Sequence, residues 1–299
     1  TIRQWLNNDF YNTAFSADEK AELIKIDCDN SAFSSEYAIY SSTDTSDYVT
    51  LPDYEMMKKQ SSCYNTKNLT NSDYALCQGV DSLRAFKRTA GEKSNAAVTY
   101  NYDKDNYTNV IATTELVYEI NGIVPVIRFA KEKLYDTFGS YPKTQVTDIS
   151  ILEALDSQSK DWKSLGYYYG EGDIGTMKSS DFMKYADVSY NGEKYRVVKF
   201  SKFRPTASIN TSSAANTVQD ENGYFINSEF WFKFEPLTWS CIDTEKNLYI
   251  CNDIIDGQMF SDKAYGSADT CYMNSVCTVW ANNYEKSTIR QWLNNDFYN

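Results

Sequence analysis

Carboxylates and thiols are the side chains in this sequence whose spacing could do chemistry. Asp27 with Asp29, and Asp103 with Asp105, form Asp-x-Asp pairs whose oxygens could bind calcium. Neither pair continues into a full set of ligands, so we predict no metal site and interpret both pairs as solvated loop acids. Histidine is absent, which removes Ser-His and Cys-His nucleophiles, histidine metal sites and histidine proton shuttles. The residue types therefore argue against an enzyme and against a cofactor, and calcium is the one ion left open.

The seven cysteines favour disulfides over zinc or redox chemistry, because no Cys-x-x-Cys occurs. Six of them form three candidate pairs: Cys241 with Cys251, Cys271 with Cys277, and Cys63 with Cys77. The first pair flanks a turn between two apolar runs, and the other two would close short loops. Cys28 is left over, either free or paired with another copy of the chain. The alternative is that all seven are reduced thiols in a core.

A stretch of twelve residues occurs twice without a change, as residues 1–12 and again as 288–299, at an offset of 287 residues. Such identity over Trp, Arg and Phe is not chance, so the chain reads as one period of a tandem array and the start of the next copy. Helical spacing directs Ile2, Leu6 and Phe10 toward a core. The candidate residues for packing at the repeat junction are Trp5, Leu6, Phe10 and Trp280.

Composition narrows the possible partners. The formal net charge is −12 and the pI is near 4.6, which argues against nucleic acid and anionic membranes as partners. No apolar run approaches the length of a membrane span, so we predict no membrane insertion. Abundant Tyr beside many polar residues suits a secreted protein that contains β-structure. The period is long enough for one large domain or two ordinary ones.

Helix and strand patterns alternate without a βαβ rhythm, which predicts an α+β fold with a mixed, mostly antiparallel sheet, short helices and long loops. Residues 224–234 alternate strongly, with three Phe on one face and Trp231 and Lys233 on the other. Residues 237–242 and 247–251 form a hairpin. The remaining strands are predicted at 37–40, 96–102, 109–114, 116–120, 123–129 and 195–200.

Capping signals place the short helices. Ser16 and Glu19 form a capping box, and Asn71 caps a helix over 71–77 that stops at Gly79. Further helices are predicted at 53–60 and 149–155. The pair Asn121-Gly122 is a turn signal, and the basic, Gly-bearing residues 83–93 are predicted to be a loop.

Six motifs resemble, in array order, a bacterial family, domain of unknown function six-two-seven-three, of surface and secreted proteins. They lie at 138–142, 230–239, 287–297, 14–19, 72–75 and 122–126. The sequence departs from the family's Trp-Trp-Leu-Arg-Ser-Pro segment, for which only 82–84 or 87–89 could stand. The resemblance implies that residues 136–287 are the N-terminal part of a repeat, that 1–135 are the C-terminal part of a repeat, and that 288–299 begin the next copy. It places the natural boundary near 130–136.

The family is similar to C-type-lectin-like and formylglycine-generating-enzyme-like folds and brings no established activity. Glu235-Pro236 and Asn252-Asp253 resemble the calcium–sugar ligands of C-type lectins, although Leu237 stands where those lectins have Asn. We therefore weigh two functions. The first is a structural repeat of an extracellular bacterial filament or cell-surface stalk, whose partners are neighbouring copies of itself. The alternative is an adhesin that displays a lectin-like site for a glycan or host ligand. A non-covalent polymer also remains open.

Overall fold

The protein is described by a computed structural model over thirteen stretches of the chain. These are residues 2–59, 69–80, 83–92, 96–101, 111–116, 120–131, 137–164, 168–170, 176–178, 183–203, 207–212, 217–260 and 282–284. Within them the fold is α+β, with mostly antiparallel open sheets and short helices, which confirms the predicted fold class. No helix in these stretches is long and apolar enough to cross a membrane.

The helices are short, and four of them begin at a Ser or Asp side-chain cap. They are α1 Ile2–Trp5, a π-helical turn Leu6–Phe10, α2 Tyr11–Ala14, α3 Ala17–Glu22, a 3₁₀ helix Ser35–Tyr40, α4 Tyr54–Lys59, α5 Asp73–Cys77 and α6 Ile149–Asp156. The predicted capping box is confirmed, because the Glu19 amide donates to Ser16 Oγ and the Ser16 amide donates to the Glu19 carboxylate. Asp148 caps α6 by accepting from the amides of the two residues after Ile149.

Strands are the more abundant regular structure in the described chain. They are β1 Ile26–Cys28, β2 Thr45–Asp47, β3 Val49–Thr50, β4 Thr70–Asn71, β5 Arg84–Ala90, β6 Ala96–Asn101, β7 Ile111–Leu116, β8 Ile120–Ile123, β9 Val126–Arg128, β10 Thr137–Gln145, β11 Lys163–Ser164, β12 Tyr168–Gly170, β13 Thr176–Lys178, β14 Met183–Tyr190, β15 Glu193–Phe200, β16 Asn210–Ser212, β17 Thr217–Gln219, β18 Glu229–Asp243, β19 Leu248–Cys251, β20 Asp253–Ile254 and β21 Asp256–Met259.

The long strand β18 organises the larger sheet. The order of its described strands is β11-β14-β15-β18-β19-β9-β3, and β10 also pairs with β18. The predicted alternation is confirmed: Phe230 and Phe232 enter the main core, whereas Trp231 packs with Leu155 of α6 in a smaller second cluster. The Trp231 indole N–H donates to Asp156, 2.8 Å away, so the buried ring has a polar partner. The predicted hairpin is confirmed as β18 and β19.

The second sheet has the order β21-β8-β5-β6-β7, and it corrects the prediction of a loop over residues 83–93. Strand β5 lies in the middle of this sheet and is buried from Ala85 to Ala90. The basic residues suggested an exposed loop, but Lys87 and Arg88 are buried in β5, each with a specific partner. Lys87 Nζ lies 5.1 Å from the centre of the Tyr54 ring, and Arg88 donates to the Leu51 carbonyl over 2.8 Å.

Three smaller predictions were also wrong. Residues 37–40 belong to a 3₁₀ helix capped by Ser34, not to a strand. The cap of α5 is Ser72, which accepts from the Ala75 amide, because Asn71 is taken by β4. The turn expected at Asn121 and the following glycine lies inside β8. Gly122 is needed there for close packing, since a Cβ would lie 2.6 Å from Ile254 and 2.8 Å from the Arg84 carbonyl oxygen.

One hydrophobic core joins the two parts of the chain on either side of the predicted boundary. Strands β9 and β3 come from the first part, yet they continue the sheet built by β18 and β19 from the second part. The main core cluster likewise mixes residues from Ile2 to Ile127 with residues from Phe138 to Tyr284. The two parts of the chain therefore share one main core, while the array and the order of the parts in it stay predictions.

Candidate functional site

The candidate site is the place in the hydrophobic core that the first copy of the duplicated stretch occupies. We call this place the seat. Ile2, Trp5, Leu6 and Phe10 are between 0% and 2% exposed there, so the predicted core-facing role of these residues is confirmed within the first copy. Trp280 and the second copy lie outside the described residues, and their role at a repeat junction stays a prediction.

A π-helical turn lets the large side chains share one face. In a π-helix the amide of residue i+5 bonds to the carbonyl of residue i, so residues five apart come close together. Trp5 and Phe10 have this spacing, and their ring centres lie 5.6 Å apart. An uninterrupted α-helix would turn Phe10 away from Trp5, since residues three or four apart share an α-helical face. The local helix type therefore makes the apolar surface of this segment.

Tyr141 of β10 forms the floor of the seat. Its ring meets Trp5 edge-on at 6.3 Å and Phe10 at 5.3 Å between ring centres. Edge-to-face contacts of this kind add to the free energy of burial. The Tyr141 hydroxyl donates to Asp256 Oδ2 over 2.9 Å, which fixes the ring from behind.

Gly139 lets β10 approach the helical segment. Its φ of +74° is a left-handed conformation, and a Cβ would lie 2.6 Å from Phe15 and 2.8 Å from the Ala14 carbonyl oxygen. The Gly139 amide donates to Glu19 Oε1 over 2.8 Å, so the capping box also ties the segment to β10. Glycine is required here for both conformation and space.

Polar contacts on the opposite side fix the register of the segment. The guanidinium of Arg3 contacts the buried carboxylate of Asp47 at 2.5 and 2.7 Å. The side-chain amide of Asn7 donates to the Val49 carbonyl over 2.6 Å, and its oxygen accepts from the Val49 amide over 2.9 Å. Val49 lies in β3, the edge strand of the larger sheet, so Asn7 covers an edge that would otherwise attract another strand.

Sequence analysis missed these polar partners and the aromatic floor. Arg3 and Asn7 are four residues apart and lie on one face of the segment, which is a signal for a shared neighbour. The neighbour itself, β3, could not be found from local spacing. The seat therefore combines a hydrophobic surface with two directional polar contacts.

Behind Tyr141 lies a buried cation, Arg196. Its guanidinium donates to both carboxylate oxygens of Asp187, at 2.7 and 3.0 Å, and to the Tyr74 hydroxyl at 3.3 Å. The guanidinium carbon is also 4.5 Å from the centre of the Tyr185 ring. Because the charge is fully supplied with partners, this cluster stabilises the fold around the seat.

A second feature is a pocket of about 210 Å³ beside β1 and β5. Its lining residues are Asp27, Asp29, Asp53, Glu55, Met56, Arg88, Ile242, Asp243, Lys246 and Leu248. Asp27 and Asp29, which we interpreted as solvated loop acids, therefore lie on its wall, whereas Asp103 and Asp105 fall outside the described residues. Five carboxylates against two cations make the wall acidic.

The carboxylates of the pocket are directed to local partners. Asp27 accepts from Ser46 Oγ at 3.1 Å, and Asp29 accepts from the Ser31 amide at 2.9 Å. The hydrogen bonds from Ser31 hold the pKa of Asp29 below its usual value. Arg88 contacts the carboxylate of Asp53 directly. Within the described residues, no three carboxylate, thiol or imidazole groups converge on one metal position, and the prediction that the chain has no metal site stays a prediction.

The residues that resemble lectin ligands are engaged in contacts with neighbouring side chains, two of them from β10. Glu235 accepts from Thr144 Oγ1 at 3.0 Å. Asp253 pairs with Lys143 Nζ at 2.8 Å. Asn252 accepts from Ser240 Oγ at 2.7 Å. Each side chain has a structural partner, so their geometry gives a sugar no prepared place among the described contacts.

The cysteines of the predicted hairpin pair are offset. Cys241 lies opposite Tyr249, and Cys251 lies opposite Trp239, so the two cysteines are diagonal and not directly paired. The structure shows no disulfide among the described cysteines. Burial raises the pKa of Cys251 to about 12. The pairs that involve Cys63, Cys271 and Cys277 fall outside the described residues and stay predictions.

No family model, curated protein or solved structure matches the chain. The resemblance to the domain family therefore stays a prediction based on its motifs. Two of those motifs are neighbours in the fold, because β10 carries 138–142 and pairs with β18, which carries 230–239. Their aromatic residues build the core and the floor of the seat, which accounts for them by packing.

Proposed function

We propose that the chain is a structural repeat unit of an extracellular bacterial filament or cell-surface stalk, built as a tandem array of near-identical copies. The observation that carries the proposal is the duplication of a segment that is part of the core. Residues 288–299 repeat 1–12 without a change, and the first copy buries four large apolar side chains.

The burial of the first copy implies that the second copy also has large apolar side chains to bury. Each buried Trp, Leu, Ile or Phe side chain stabilises a fold by about 1.5–3 kcal/mol relative to exposure. A second copy of the stretch therefore needs a seat of its own. The sequences that contact the first copy, 46–51 and 137–142, each occur once in the chain, so a following copy of the domain is the natural source of the second seat.

Surface charge and residue types support a structural role. A net charge of −12 per chain would keep neighbouring arrays apart by repulsion and keep them soluble. The absence of histidine leaves catalysis to carboxylates, Tyr, Lys and Cys. We accordingly propose that the protein acts outside the cell as a scaffold and not as an enzyme.

The mass of the native chain, denatured and reduced, tests the proposal. A mass of many periods is expected, because a covalent array joins each seat segment to the domain that follows. A mass near one period would overturn the tandem array.

The acidic pocket favours a second candidate, a ligand-binding module displayed in many copies. Carboxylates accept hydrogen bonds from sugar hydroxyls, and the apolar part of its wall, Met56, Ile242 and Leu248, could face a sugar ring. Repetition would raise the avidity of a weak site. A glycan array probed with the isolated chain tests this function, with Glu55→Gln as the variant and Glu36→Gln, on an exposed 3₁₀ helix, as the control. Signal lost only in Glu55→Gln supports the module, whereas absence of signal in all three chains rejects it.

A further inference from the structure

The seat and the duplicated stretch together indicate how two copies of the chain could join. The chain contains two identical twelve-residue segments and, by sequence, one set of the residues that form the seat. Whichever segment is not seated has four large apolar residues to accommodate. For residues 288–299 these are Ile289, Trp292, Leu293 and Phe297, at the positions of Ile2, Trp5, Leu6 and Phe10.

We propose that the seat is an exchange site between copies: residues 288–299 of one copy occupy in a second copy the place that residues 1–12 take in the structure. The partner is thus a second copy of this chain, and its docking segment is named by sequence identity. This inference rests on the proposed function in taking like copies as neighbours, and it states which surfaces would join them.

The contacts of the seat are ones an identical segment can reproduce. Its docked surface would present Trp292 and Phe297 to Tyr141, in place of Trp5 and Phe10. Arg290 would meet Asp47, and Asn294 would cover the edge at Val49, in place of Arg3 and Asn7. The partners Tyr141, Asp47 and Val49 lie outside the segment, so the exchange would leave them in place.

Competition between the two segments decides when exchange occurs. Residues 1–12 are attached to the seat through Phe15, so their effective concentration at the seat is on the order of millimolar or higher. A segment from another copy has the same contacts but must arrive from solution. Association through the seat is therefore expected to rise with chain concentration, and to dominate when the first segment is weakened.

The geometry of the exchange is head-to-tail. Residues 288–299 of one copy would enter a seat formed by Asp47, Val49 and Tyr141 of the next, and residues 288–299 of that copy could enter the seat of a third. Such a contact is heterologous, so it propagates into an open chain unless the rotation between copies closes a ring. Exchange at the seat thus gives a filament without any further interface.

Paired variants of the full chain test the proposal by sedimentation. Trp5→Ala/Phe10→Ala weakens the resident segment and should shift the chain from single copies to assemblies of two or more. Trp292→Ala/Phe297→Ala makes the same chemical change in the second segment and should remain single at the same concentration. The fourfold variant should lose both the assemblies and the cooperative unfolding transition.

A synthetic peptide with the sequence of residues 1–12 separates exchange from aggregation. It should dissociate the assemblies of Trp5→Ala/Phe10→Ala, because it fills the seat, whereas a peptide with Ala at the Trp and Phe positions should not. A single-copy Trp5→Ala/Phe10→Ala chain, folded or unfolded, would overturn the proposal, and so would assemblies that resist the peptide. A native mass of one period would reject the covalent array and leave this result unaffected.

Discussion

The ring of Phe10 lies 5.3 Å from the ring of Tyr141, and this contact joins the helical start of the chain to a strand that begins its second part. Tyr141 is 2% exposed and Phe10 is fully buried. The contact shows that the first copy of the duplicated segment is part of the hydrophobic core.

The two neighbouring asparagines of the segment should behave differently. Asn7→Ala should lower the free energy of unfolding by about 1–3 kcal/mol, because it leaves the Val49 amide and carbonyl without their partner. Asn8 is exposed, so Asn8→Ala should change it by no more than about 0.5 kcal/mol. Chemical denaturation at low chain concentration measures both, and equal effects would contradict the role of Asn7.

Substitution of Gly139 and of Gly192 by Ala distinguishes the stability cost of a steric clash from that of backbone strain. Both have positive φ, +74° and +80°, but a Cβ on Gly192 would meet nothing within 4 Å. Gly192→Ala should cost about 1–2 kcal/mol from the left-handed conformation alone. Gly139→Ala should cost more, because its Cβ also meets Phe15 and the Ala14 carbonyl. Thermal unfolding of both variants gives the difference, and a smaller loss for Gly139→Ala would show that the segment can shift away from β10.

The ion pair of Asp187 and Arg196 should make stability depend on acid pH. Burial alone would raise the pKa of Asp187, but the hydrogen bonds and charge of Arg196 outweigh it and lower that pKa below its usual value. A carboxyl with a lowered folded pKa contributes stability above its unfolded pKa, near 3.9, and loses it as pH falls through the folded value.

Denaturation of wild type and Asp187→Asn across acid pH checks this dependence. Wild type should have the larger free energy of unfolding at neutral pH. The difference between wild type and Asp187→Asn should shrink as pH falls below about 4. Asp161→Asn is the control, since it removes an exposed carboxylate that is not part of the Arg196 cluster. A difference for Asp187→Asn that is constant with pH would contradict the ionic contribution.

The cysteine chemistry can be measured directly. Burial raises the pKa of Cys251 to about 12, so a small alkylating reagent at mildly alkaline pH should leave Cys251 unmodified in the folded protein. After unfolding without reductant, Cys251 and Cys28 should both be modified, as found by peptide mass spectrometry. A peptide that links Cys241 to Cys251 would show instead that the hairpin shifts register to form the disulfide predicted from sequence.

Local patterns identified many elements. The alternation of Phe and Trp in β18, the capping box of α3 and the helix α6 follow from neighbours two to four residues apart, and all three are confirmed. Strand β5 could not be predicted locally, because a run with Lys87 and Arg88 has the composition of an exposed loop. Its burial depends on Tyr54, Leu51 and Asp53, which contact these two residues. Likewise, the spacing of Asp27 and Asp29 identifies them as an acidic pair, but nothing in their local sequence indicates the pocket that they line.

Residue identity and short-range spacing are sufficient to establish the duplication, the α+β class and the apolar face of the segment. The seat made by Tyr141, Asp47 and Val49 becomes visible only in the three-dimensional packing. Those partners come from distant stretches of the chain, and no local period encodes which strands meet. Their pairing is selected by the joint packing of one core, in which each element limits the positions open to the others.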